Sequence, residues 1–165
     1  MTDHTLTDAA SIRLIKNGAS VMIAALFGGF ILDFSMLGAI TFSPLPLSIP
    51  ATMPGSAQGW RAVHVGCLMN GIMAVALGLA MRRFALTARN AAVVSWGTIV
   101  AIWGNTAFYL FGMFAPNHGL TLASNRLGEA NWAGVIAFAP AIVGAVTLLW
   151  ALVVLVMAKP AEPRR

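Results

Sequence analysis

An all-α integral membrane protein, a four-transmembrane-helix bundle with N and C termini cytoplasmic, is what this sequence predicts, and three observations predict it. Of 165 residues, 59% are hydrophobic and only 9% charged, with a mean hydropathy of +0.82, which is a bilayer composition and not that of a soluble domain. Four apolar stretches, at about 17–40, 61–82, 90–114 and 132–157, each hold roughly 20 or more residues, enough to cross a ~30 Å hydrocarbon core at ~1.5 Å rise per residue. The basic residues, finally, flank these stretches unevenly: Arg13, Lys16, Arg82, Arg83, Arg89, Lys159, Arg164 and Arg165 fall on one side, leaving Arg61 and Arg126 for the other. The whole chain, 1–165, reads as a single membrane domain. Its formal charge of +5 and pI near 10.8 therefore report topology and not a nucleic-acid partner.

In chain order, Met1 to Ser11 is polar and expected to form a short mobile tail with His4 solvated. The apolar run after Arg13 and Lys16 is longer than a signal-peptide core of ~7 to 15 residues and has no clear cleavage site, so it is taken as a retained membrane helix. Its one charge, Asp33, comes late in the span, within reach of the interface or a bundle partner, and is given no catalytic role. Pro44, Pro46, Pro50 and Pro54 forbid a continuous helix between the first and second spans. A second loop, Pro116 to Asn131, separates the third span from the fourth, and both loops should roof the same outer face. Glycines within the second and third spans are expected to let helices approach closely. The single cysteine, Cys67, excludes an intrachain disulfide and reads as a packing residue.

Polar side chains inside the spans are where chemistry is expected, because an amide or imidazole in lipid needs partners. His64 is the only histidine in a span and can serve either as interhelical hydrogen-bonding glue or, uncharged, as an axial ligand to heme iron. The residues alone leave both open. Asn105 and Tyr109 are spaced i, i+4 and share a helix face; Tyr109, the only tyrosine, has the competing role of an interfacial anchor. Asn70 lies six positions beyond His64, which turns it ~120° around the axis and ~9 Å along it. The two do not share a face, and sites between the subunits of a symmetric oligomer would use both flanks of this helix. No CxxC, HExxH, phosphate-binding glycine motif or nucleophile elbow is present. Asp33 and Glu129 are the only acids between the tails, too few and too scattered for paired carboxylate catalysis.

Two segments, PGSAQGWRAVHVGCLMNGIM and WGNTAFYLFGMFAPNHGLTLASNRLG, followed by AFAPA around Phe138, resemble the styrene oxide isomerases, small integral membrane proteins of bacterial styrene degradation. The likeness covers roughly the middle half of the chain. It implies a multi-pass protein of the bacterial inner membrane that converts an aryl epoxide, such as styrene oxide, into an aldehyde, such as phenylacetaldehyde, by Meinwald rearrangement. It further implies ferric heme b as Lewis acid, with His64 matching the axial histidine, and Asn70, Asn105 and Tyr109 matching residues that line the substrate pocket. A homotrimer with heme between subunits is also implied. Two competing readings are a heme b electron carrier, for which His118 would have to supply a second ligand, and a small transporter, for which Asp33 would bind the driving ion.

Overall fold

The structure, a computed structural model, describes residues 3–161, with Asp3 and His4 described by backbone alone. Four long helices dominate the described residues: α1 (Asp3–Leu37), α2 (Ala57–Ala80), α3 (Ala88–Gly112) and α4 (Trp132–Met157). All four are long and apolar enough to cross a membrane. α1 packs along α2, and α3 along α4, with α2 and α1 joined to α3 by narrower seams; α4 makes substantial contact with α3 only.

Local chemistry sets the helix ends. Ser56, Thr87 and Asn131 hold extended backbone conformations, and their side chains accept from the N–H groups of Gly59, Asn90 and Gly134 at 3.1, 3.2 and 2.9 Å. These are N-caps, each satisfying one of the orphan donors of a first turn. Ser56 therefore starts α2 at Ala57, four residues earlier than its apolar run suggests. α1 ends at Leu37 because Gly38 takes φ +65°, the left-handed conformation that closes a helix.

The expected mobile tail at the N-terminus is instead helix from Asp3 onward, with Met1 and Thr2 outside the described residues. α1 has 35 residues and is ~52 Å long, well beyond a ~30 Å core. Its first turns are held by side chains a hydropathy pattern cannot register: Ser11 donates to the Gly78 carbonyl at 2.7 Å, and Ser95 to the Ala10 carbonyl at 3.0 Å. Asp8 pairs with Arg82 at 2.9 Å. The side chain of His4 and the two terminal arginines, Arg164 and Arg165, lie outside the described residues.

Between α1 and α2 the proline-rich segment contains a small hairpin, also unforeseen, of β1 (Ala39–Thr41) and β2 (Ser48–Pro50), paired antiparallel with Ile40 opposite Ile49. Pro50 falls at the end of its strand, where its missing N–H costs no ladder bond. The loop after α3 is organised by Asn117, which is fully buried. Its Nδ2 donates to the carbonyls of Thr121 and Ala123, its Oδ1 accepts from Gly119 N–H, and its own carbonyl accepts from Asn125.

Both loops lie at one end of the bundle, Gly55 packing on Met113. The other end gathers the start of α1, the α2–α3 turn and the C-terminal segment, where Ala85 N–H donates to the Lys159 carbonyl and Ala161 N–H to that of Arg83. Inside, the core is built of small and medium side chains such as Ala25, Cys67, Ala74, Val94 and Ile102, while Phe27, Met69, Leu149 and Val156 point outward. That inversion suits a lipid solvent, where tight backbone approach and not apolar burial drives association. Gly97 and Gly144 let α3 and α4 touch, helped by Thr147 donating to the Gly97 carbonyl at 3.1 Å. Pro140 stands inside α4, its carbonyl against Gly104 of α3.

Candidate active site

α2 carries polar side chains on two faces. Toward α3, Asn70 is buried at 7% exposure, and an amide there without partners costs roughly several kcal/mol. It is fully partnered. Its Oδ1 accepts from Asn105 Nδ2 at 3.0 Å, while its Nδ2 donates to the Gly66 carbonyl at 2.8 Å and to the Tyr109 hydroxyl at 3.3 Å. The i, i+4 spacing of Asn105 and Tyr109 on α3 brings both onto the one amide. Gly66, one turn before Asn70, makes room: a Cβ there would fall into the Tyr109 ring. Phe108 meets that ring edge-on at 5.8 Å between centroids.

The direction of these bonds matters. Tyr109 Oη accepts from Asn70, so among the described residues the phenolic hydrogen stays uncommitted and can be donated elsewhere. Among the described residues the Asn105 side chain makes no hydrogen bond other than the one to Asn70, which leaves its amide oxygen and second amide hydrogen available. Beside Tyr109, a cavity of about 260 Å³ opens between α2 and α3 toward the loops, lined by Ser56, Gln58, Gly59, Ala62, Phe108, Gly112, Met113, His118 and Leu120. It is apolar and aromatic on most sides, with Tyr109 supplying a phenol, the character expected of a small-molecule pocket.

Toward α1, His64 stands apart from this network. Its Nδ1 lies 2.8 Å from the Ala25 carbonyl. A carbonyl only accepts, so in the neutral ring Nδ1 carries the hydrogen and Nε2 keeps its lone pair. Nε2 has no hydrogen-bond partner among the described residues. The ring packs on Gly29 of α1, where a Cβ would stand 2.7 Å from Nδ1. Thus the structure brings Asn70, Asn105 and Tyr109 together and sets His64 on another flank of the same helix.

Among the described residues no three His, Cys, Asp or Glu side chains converge as metal ligands. A porphyrin supplies four nitrogens itself and asks the chain for one axial donor, which the free Nε2 of His64 fits. His118 has φ +55° and lines the α2–α3 cavity, away from the α1 side that His64 faces. Asp33 is exposed near the end of α1 and makes no ion pair among the described residues. Cys67 is buried and free, donating weakly to Thr106 Oγ1 at 3.6 Å, as a packing residue does. Sequence reasoning overlooked Gln58, Phe108 and Met113 of the cavity wall and Ala25 and Gly29 behind His64. The Gly28–Gly29 pair was the available signal for the latter.

Four apolar helices with a satisfied amide and phenol network among them define a multi-pass membrane protein with a polar site inside its bundle. The model of the family described as styrene oxide isomerase matches residues 10–159, and the chain belongs to that family and is an isomerase. A styrene-oxide isomerase of Pseudomonas fluorescens is similar to it, 27% identical over 143 residues that cover 87% of this chain and 84% of that protein. The match takes in most of α1 and all of α4 as well as the two central segments.

Proposed function

We propose that this isomerase converts aryl epoxides such as styrene oxide into aldehydes such as phenylacetaldehyde by Meinwald rearrangement, assisted by ferric heme b held at Nε2 of His64. The observation that carries the reading is the Asn70 bond to Tyr109 Oη at 3.3 Å, which leaves the phenolic hydrogen free to be donated beside a largely apolar cavity. Ferric heme, when bound, supplies a Lewis acid without net redox change. Tyr109 donates to the epoxide oxygen as negative charge develops on it, and the Asn70 amide, donating to Oη, strengthens that donation. Asn105 holds Asn70 in register and offers its second amide hydrogen to the same substrate oxygen.

As the benzylic C–O bond opens, the aryl ring delocalises the positive charge. A hydride then migrates from the terminal carbon to the benzylic carbon, giving the aldehyde with every atom and electron retained. Phe108 and Met113 line a wall suited to the aryl group, and the apolar helices keep out water that would trap the cation as a diol. Since His64 and Tyr109 face opposite neighbours of α2, we further propose a homotrimer whose sites lie between subunits, one contributing His64 and the next Tyr109. Both termini are assigned to the cytoplasmic side of a bacterial inner membrane, following the basic residues.

The test is a visible spectrum of the purified protein before and after styrene oxide, with products assayed from the same sample. A Soret band that the epoxide perturbs, with phenylacetaldehyde formed in the absence of reductant, is expected. Aldehyde formation without heme, or heme with no aldehyde, overturns the mechanism.

A further inference from the structure

We infer that Gly29 is a positioning residue, fixing the tautomer and ring plane of His64 by leaving the Ala25 carbonyl uncovered. The inference rests on the reading of His64 as the heme ligand and adds a determinant that the ligand itself does not reveal.

In an α-helix the Cα–Cβ bond tilts toward the N-terminus, so a side chain covers the turn before its own Cα. The side chain that would cover the Ala25 carbonyl is therefore that of residue 29, four positions on. There is none, and His64 fills the space. A Cβ on Gly29 would stand 2.7 Å from Nδ1, 2.9 Å from Cε1 and 3.5 Å from Cγ, so it would strike the atoms that make the 2.8 Å bond to Ala25. Ala25 itself is fully buried, which keeps water from competing for its carbonyl.

Gly28, the neighbour, serves a different purpose. A Cβ there meets Val63 Cγ1 at 2.9 Å and comes no nearer than 3.6 Å to the His64 backbone nitrogen. The adjacent glycines thus separate helix packing from ring placement. A ligating imidazole normally donates its other N–H to a carbonyl or carboxylate, which holds the ring and raises its basicity, and loss of such a partner lowers metal affinity about 10- to 100-fold. Gly29→Ala is expected to act at that level while Gly28→Ala acts on packing alone.

The experiment titrates the full-length protein in nanodiscs with hemin, reading affinity from the Soret band and the iron–histidine stretch by resonance Raman after reduction. Gly29→Ala should weaken hemin binding about 10- to 100-fold and lower the stretching frequency, with Gly28→Ala leaving the frequency unchanged. A second pair of variants removes the ring and with it the clash. In His64→Gly, added imidazole should restore hemin binding at least about tenfold better than 1-methylimidazole, which has no N–H to give Ala25. In Gly29→Ala/His64→Gly that preference should vanish. Equal rescue by both imidazoles, or a Gly29→Ala protein with unchanged affinity and frequency, overturns the role of Gly29 while His64 remains the ligand. Equal hemin binding by the wild type and His64→Ala, or none by the wild type, overturns the heme reading and this inference with it.

Discussion

The two flanks of α2 solve the same problem in different ways. Facing α3, a side-chain amide is satisfied by side chains, Asn70 with Asn105 and Tyr109. Facing α1, an imidazole is satisfied by main chain, His64 with the Ala25 carbonyl. A network of side chains distributes its function, so removing one member leaves partners that can partly compensate. A ring held by backbone and by the absence of a side chain has no such reserve. Removing the imidazole on the α1 flank should therefore abolish function, whereas losing one member of the α3 network should lower it by degrees.

The largest effect is expected at His64. His64→Ala should lose stoichiometric heme and at least about 10³-fold of turnover, since the other histidine with a described side chain, His118, lines the α2–α3 cavity and not the α1 side; a fully active, heme-replete variant would remove the contrast altogether. Tyr109→Phe keeps the ring and its packing on Gly66 but deletes the donor. Turnover should fall about 10²-fold, the scale of one lost donor at a developing oxyanion, with heme content unchanged; identical kinetics would return Tyr109 to an anchoring role. Asn105→Ala touches the substrate less directly and leaves Asn70 held by Gly66 and Tyr109. A loss of roughly tenfold is expected, and a loss as deep as that of His64→Ala would show that the α3 flank has no reserve either. Smallest of all, Asp33→Asn should leave isomerisation within about twofold, as exposed positions outside the site usually do. A large loss there would move attention from α2 to the end of α1.

Much of the candidate site is legible in the sequence because polar residues in apolar sequence are conspicuous. Asn70, Asn105 and Tyr109 stand out by cost alone, and the ~120° between His64 and Asn70 follows from helix geometry. The hidden parts are those whose signal is an absence or a main-chain group. Nothing in the sequence marks the Ala25 carbonyl as an acceptor, and the Gly28–Gly29 pair by itself does not say which of the two glycines faces His64. Asn117 was read only as part of a loop motif, yet its amide and carbonyl hold that loop together. Ser11 looked like tail because one hydroxyl reaching the Gly78 carbonyl leaves no trace in hydropathy.

By itself the sequence determined the number of helices, their approximate spans and the kinds of polar group placed within them, since length and apolarity against a fixed hydrocarbon thickness leave few alternatives. Tertiary structure alone decided which polar group meets which, where the first helix begins and which nitrogen of His64 is free. Those depend on how closely two backbones approach, and that distance is set by residues from separate helices, Gly29 against His64 and Gly66 against Tyr109, whose pairing no single stretch of chain encodes.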